Sequence, residues 1–250
     1  MPDSELTSYP ALSSSYIEEQ ADALRGQYND WSGVENQIPV PAEVIAEQFL
    51  GYELQVTEDG LFMDPDYLGG IAFEDRIILL NASVEAHEGR YNFTIAHEIG
   101  HHVLHREHYL AHRTEHTNRI VCRETGDKPL VEQQADRFAA ALLMPAETVC
   151  AAFAQMEGSS RLPEHPTTRA LRALAAGVVE ISGFSNVSNT AMVNRLIDLG
   201  LVSGAIYQTG RPQDFYRRVR TIGLTRQTLR WMINRLLHPL RTIKQLRRSK

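Results

Sequence analysis

Cysteine is scarce in this chain. Cys122 and Cys150 are the only two in 250 residues, too few for a disulfide framework at this length, and neither belongs to a CxxC pair. Both read as ordinary reduced thiols of an intracellular protein. Long apolar runs are also missing, and no stretch approaches the length that spans a bilayer as a helix. The opening residues MPDSELTSYPALSSS contain neither a positive n-region nor an apolar h-region. A secretory leader is therefore not expected, and the expected compartment is the cytoplasm. Basic residues are thin through the first 210 positions, where 13 Lys/Arg stand against 30 Asp/Glu. Residues 211–250 reverse this with 12 Lys/Arg and one acid, Asp214, inside an overall net charge of −6. The split predicts an acidic body followed by a basic tail.

What is present is ordinary globular material, with 43% hydrophobic and 22% charged residues. Residues 1–14, rich in Ser, Thr and Pro, are expected to be disordered. Ile17, Ala21 and Leu24 fall at helical spacing. Pro41 can open a helix that Gly51 stops. Leu54 to Val56 is a short strand candidate. Ile71–Phe73 and Arg76–Leu80 flank the acidic pair Glu74-Asp75 and predict a hairpin. Helical period holds over 91–105, a polar loop is expected from about 106 to 129, and 130–144 is helical until Pro145 ends it. Helical period resumes at 167–181. Ser188 is a good N-cap for a helix running through Leu199 to a stop at Gly200.

The chemistry concentrates in His97-Glu98-Ile99-Gly100-His101. Histidines at i and i+4 stand on one helix face, roughly 6 Å apart, and can converge on one zinc ion. Glu98 follows directly, aimed at the metal's open side, where it can act as general base toward water. A catalytic zinc wants three protein ligands. The 130–144 helix offers Glu132 and Asp136 on one face, with small Ala135, Ala139, Ala140 and Ala141 that permit close approach of another helix. A carboxylate from it could complete the ligand set, and Asp136 could orient a ligand histidine through its second ring nitrogen. The bland alternative for Glu132 is an exposed glutamate favoured by the helix dipole.

FTIAHEIGHHVLH (93–105) and EQQADRFAAALLMP (132–145), preceded by IILLNA (77–82), resemble the ImmA/IrrE metallopeptidases, cytosolic bacterial and phage proteases. The resemblance covers most of residues 16–205. It implies an α+β fold: a zincin-like core with the active-site helix packed on a small mixed sheet, then a helical, helix-turn-helix-like part. It implies Zn2+ held by His97, His101 and Glu132, with Glu98 as general base. Its members cut DNA-binding repressors of the helix-turn-helix class, so such a repressor is the expected substrate. The expected domains are 15–157 for the peptidase, 158–208 for the helix-turn-helix-like part and 209–250 for a basic amphipathic tail.

Other features stay open. His105 continues the i, i+4 series but lies too far along a straight helix to join one ion comfortably, and is expected to hydrogen-bond within the fold. His112, His116, Arg119 and Arg123 are candidates to hold an oxyanion, against a plain solvated loop. The IILLNA strand, free of charged side chains, could accept an extended peptide if it lies at the sheet edge, the alternative being an interior strand. Residues 178–202 have a helix-turn-helix outline, yet Arg195 is the sole cation of the second helix. That favours a structural or partner-binding role over DNA, whose affinity rests on phosphate contacts. The competing reading of the whole chain is a non-catalytic DNA-binding regulator with a structural zinc site. The tail stripe of Leu229, Met232, Ile233, Leu236 and Leu237 among arginines could dock on an acidic face, nucleic acid or an anionic membrane.

Overall fold

The computed structural model describes residues 9–57, 67–112, 120–123, 129–159 and 168–202. Helix α1 (Ser14–Ser32) starts where the Ser13 hydroxyl accepts from the Tyr16 amide and ends at Gly33 in the left-handed region. Its stripe Ile17, Ala21, Leu24 and Tyr28 is buried. A short α2 (Ala42–Val44) runs into a π turn over Ile45–Phe49. Strands β1 (Glu53–Thr57), β2 (Tyr67–Ala72) and β3 (Ile77–Asn81) follow. The helices after them are α3 (Glu88–Leu104) and α4 (Arg106–His112), and strand β4 (Ile120–Arg123) precedes α5 (Leu130–Leu143). Helices α6 (Ala146–Ser159), α7 (Thr168–Ser182) and α8 (Asn189–Asp198) complete the described chain. The fold class is α+β, as expected. No single helix among the described residues is long and apolar enough to cross a membrane.

The sheet is mixed, in the order β1-β3-β2-β4. β1 runs parallel to β3, whereas β2 pairs antiparallel with both β3 and β4. The β2–β3 pair is the expected hairpin, and Arg76 in its turn takes a positive φ of 56°. The IILLNA strand, considered as an edge for peptide pairing, is instead interior, between β1 and β2. Ile78, Leu79 and Leu80 are buried in succession, so this strand is covered on both faces, and an unbroken apolar run marks such a strand. The open edges among the described residues belong to β1 and β4.

Two further expectations are corrected. The segment 106–129, read as a polar loop, contains α4 and β4. Residues 9–13, placed in a disordered tail, pack against the body: the Pro10 carbonyl accepts from Gln134 Nε2 at 2.9 Å, and the Tyr9 ring lies 4.6 Å from that of His108. Residues 1–8 and the basic tail 211–250 lie outside the described residues.

Helices α3 and α5 cross closely because the contact is made of the smallest side chains. A Cβ at Gly100 would lie 3.2 Å from the Ala135 Cα, the Ala135 carbonyl oxygen and the Phe138 Cβ alike. Gly100→Val should therefore force the two helices apart. Overpacking of this kind costs about 1–3 kcal/mol, to be read as a lower urea midpoint at unchanged slope.

The helix-turn-helix outline exists as α7, a turn, and α8 capped by the Ser188 hydroxyl on the Ala191 amide. The pair is tied to the body rather than held away from it. Asn186 in the turn donates to the Val40 carbonyl at 2.8 Å. Arg195, 2% exposed, donates from Nε to the Met144 carbonyl at 2.9 Å and forks onto both oxygens of Glu18. The one cation that α8 offered for phosphate contact is thus spent inside the fold. Asn189, Thr190 and Asn194 remain exposed.

Candidate metal centre

The buried face of α3 carries His97, Glu98 and His101, at 1%, 0% and 0% exposure. On α5, Glu132 is also buried at 2%, so it is not the exposed helix-start glutamate. The close α3–α5 crossing brings these groups together. His97 Nε2 lies 3.2 Å from Glu132 Oε2, and His101 Nε2 lies 3.3 Å from Glu132 Oε1. The two Nε2 atoms are 3.0 Å apart. Ligands 2.0–2.2 Å from a tetrahedral zinc stand roughly 3.3–3.5 Å from one another, so the three donors are spaced much as one such ion requires. His97, His101 and Glu132 form the metal-compatible cluster found among the described residues.

Protonation suits the same purpose. Burial lowers the His101 imidazole below its ordinary value, despite the nearby Glu132 carboxylate, so it presents a lone pair rather than a proton. Burial raises the Glu132 carboxyl, and positive charge beside it, on His101 and His97 or on an ion in their place, outweighs that and holds it well below the usual range. Asp136, with its side chain 31% exposed, accepts from His97 Nδ1 at 2.9 Å. That contact keeps the proton on Nδ1 and leaves Nε2 bare toward the cluster. Asp136→Ala should weaken zinc binding about 10–100-fold, the usual scale for a lost orienting partner, measurable by competition with a chromophoric chelator at pH 7.

Glu98 stands apart from the three donors. Both carboxyl oxygens are buried without a hydrogen-bond partner among the described residues. Burial, reinforced by Glu132 and only partly relieved by His97, pushes its pKa up to about 8. An orphaned buried carboxyl costs stability, and here it stands beside a second carboxyl and two imidazoles. A divalent cation at the cluster would relieve that accumulation. Strand β2 makes the space: a Cβ at Gly69 would lie 2.8 Å from the Thr94 methyl and 3.0 Å from Glu98 Oε1.

Residues 55–176 match the IrrE N-terminal-like domain, Peptidase M78. The chain carries a Peptidase M78 domain. The match runs from β1 into α7 and contains all five residues just described, so the ImmA/IrrE resemblance read from the sequence holds. The M78 domain is a metallopeptidase domain, and its donor set fits a metal ion. The sequence matches no curated protein.

Some of what surrounds the M78 cluster escaped the sequence reading. Gln134 is buried at 2% and accepts from His105 Nε2 at 2.9 Å. Its only signal was its helical spacing from Val131 and Phe138, which are buried. His105 does hydrogen-bond within the fold, as expected. His102 pairs through Nδ1 with the Tyr52 hydroxyl at 2.8 Å, away from the cluster. The side chains of His112, His116, Arg119 and Arg123, the oxyanion candidates, lie outside what is described.

Proposed function

We propose that the chain is a zinc-dependent endopeptidase whose substrate is a DNA-binding repressor of the helix-turn-helix class. The observation that carries this reading is the buried His97–His101–Glu132 donor set beside Glu98, a carboxyl with no other partner among the described residues. A structural zinc site is closed by four ligands, whereas a catalytic one has three and an open position.

The chemistry divides among the residues as follows. His97 and His101 offer neutral nitrogens and Glu132 an anionic oxygen. A zinc ion held there supplies Lewis acidity toward water and toward a peptide carbonyl. Glu98 takes the proton from the attacking water and returns it to the departing amide nitrogen. Its raised pKa means that it gives up a proton less readily than an ordinary carboxylate, which suits the second transfer; the positive charge of a bound ion lowers it toward the first. Asp136 stabilises the His97 tautomer.

The substrate class rests on the family resemblance, and its test is direct. The chain is co-expressed with each helix-turn-helix repressor that its neighbouring genes are found to encode, as wild type and as His97→Ala, and zinc content and repressor length are measured. One zinc per wild-type chain and a shortened repressor only with wild type are expected. An intact repressor under inducing conditions, despite bound zinc, removes the substrate assignment. A wild-type chain that binds no zinc removes the metallopeptidase.

A further inference from the structure

Behind the metal cluster a line of buried hydrogen bonds runs back to the N-terminal segment. His101 Nδ1 lies 3.0 Å from His105 Nδ1. His105 Nε2 lies 2.9 Å from Gln134 Oε1, and Gln134 Nε2 lies 2.9 Å from the Pro10 carbonyl oxygen. His101, His105 and Gln134 are at most 2% exposed, so water does not compete for the first two bonds, while Pro10 itself lies at the surface.

The line has only one consistent direction. A carbonyl oxygen can only accept, so at Pro10 the Gln134 amide must present its NH2. Its Oε1 therefore faces His105, and His105 Nε2 must carry the proton. A neutral imidazole has one N–H, and in His105 it is used on Gln134. Its Nδ1 is then a bare acceptor. His101 Nδ1 must donate to it, which leaves His101 Nε2 unprotonated and facing His97 and Glu132. Asp136 does for His97 what this line does for His101, but it does so with one carboxylate at the surface end.

We infer that His105 is a positioning residue for the metal ligand His101, and that Pro10, acting through Gln134 and His105, fixes which His101 nitrogen faces the metal centre. This rests on the metal-centre reading proposed above. Pro10 precedes the matched residues 55–176, so the anchor for a ligand of the M78 domain comes from outside that domain. The Tyr9 ring, edge-on to His105 with centroids 5.4 Å apart, holds the same imidazole from the side.

The test uses the full chain and zinc itself. In His105→Asn, the Oδ1 atom stands close to where Nδ1 stood and still accepts from His101, but the ring is lost. In His105→Phe, the ring volume remains and the acceptor is lost. Zinc affinity by chelator competition should stay within a few-fold of wild type for His105→Asn and fall about 10–100-fold for His105→Phe. A merely structural role for the ring predicts the opposite order. Equal affinities in all three proteins, or tighter binding by His105→Phe than by His105→Asn, overturn the inference. Should either variant fail to fold, long-range 15N–1H spectra of the zinc-loaded wild type decide: His105 is expected with its proton on Nε2, and a proton on Nδ1 overturns the assignment. Wild-type protein that binds no zinc would strike at the metal centre itself, and at this inference with it.

Discussion

Glu98→Gln is expected to leave zinc bound at one per chain while lowering peptide hydrolysis by about 10²–10⁴-fold, the span usually ascribed to a lost general base. The two effects separate because Glu98 is not one of the three clustered donors. Glutamine matches the carboxyl in shape and cannot accept the proton. A second consequence concerns the protein stripped of zinc. There the Glu98 pKa, pushed up to about 8 in the fold, returns on unfolding to the ordinary carboxylate value near 4.5. At neutral pH, unfolding then releases a proton. The folded state is least handicapped below pH 4.5 and loses stability as pH rises from there through about 8. That handicap amounts to at most about 5 kcal/mol. Metal-free Glu98→Gln should accordingly be more stable than metal-free wild type at pH 8, with the gap closing toward pH 4.5. Urea unfolding of both proteins in chelator across that range measures it. A gap that widened as pH fell would mean that Glu98 is ionised in the fold.

Which parts of this were legible beforehand follows from the range of the signals. His97, Glu98 and His101 lie within one helical turn, so their convergence is a property of local geometry and survives without knowledge of the fold. The hairpin turn, the Ser188 cap and the Pro145 stop are equally local. Glu132 lay 31 residues after His101 and was assigned by resemblance, though the alanines around it and Gly100 on the facing helix were the physical hint that the two would meet. Strand β4 was missed because Ile120-Val121-Cys122-Arg123 is four residues long inside a polar segment, too short for a period to show. Helix α6 was missed because its run of alanines has weak amphipathic contrast. The interior place of β3 was open in the sequence: an apolar strand fits the middle of a sheet better than its edge, but strand order is decided by pairings between distant residues. The line from His101 to Pro10 joins residues 10, 101, 105 and 134, and no local pattern announces it. Arg195 shows the same limit. As the sole cation of the second helix it argued for a structural or partner-binding role over DNA, but that tertiary packing turns it inward onto Glu18 is written in no local pattern.

Removing the third donor should cost far more than removing an orienting partner. Structural zinc sites with four ligands release about 10–16 kcal/mol on binding, or roughly 2.5–4 kcal/mol for each ligand. Glu132→Ala is therefore expected to weaken zinc binding at least about 100-fold, beyond the effect of Asp136→Ala. Thermal stability offers a readout independent of catalysis. A ligand that binds only the folded state stabilises it by RT ln(1 + [L]/Kd), about 2.7 kcal/mol at 100 times Kd. Wild type should show a clear rise in Tm on adding zinc, and Glu132→Ala little or none at the same concentration. The substitution also removes an ionised carboxylate buried beside two imidazoles, so the metal-free variant need not be less stable than metal-free wild type. The contrast to read is thus the zinc-dependent difference within each protein, not the absolute Tm. His97 and His101 would still offer two nitrogens 3.0 Å apart, enough for weak binding, which is why complete loss is not expected. A Glu132→Ala chain that kept the wild-type zinc shift would mean that the carboxylate from α5 is no ligand, and the close crossing at Gly100 would then need another explanation than bringing that oxygen to the metal.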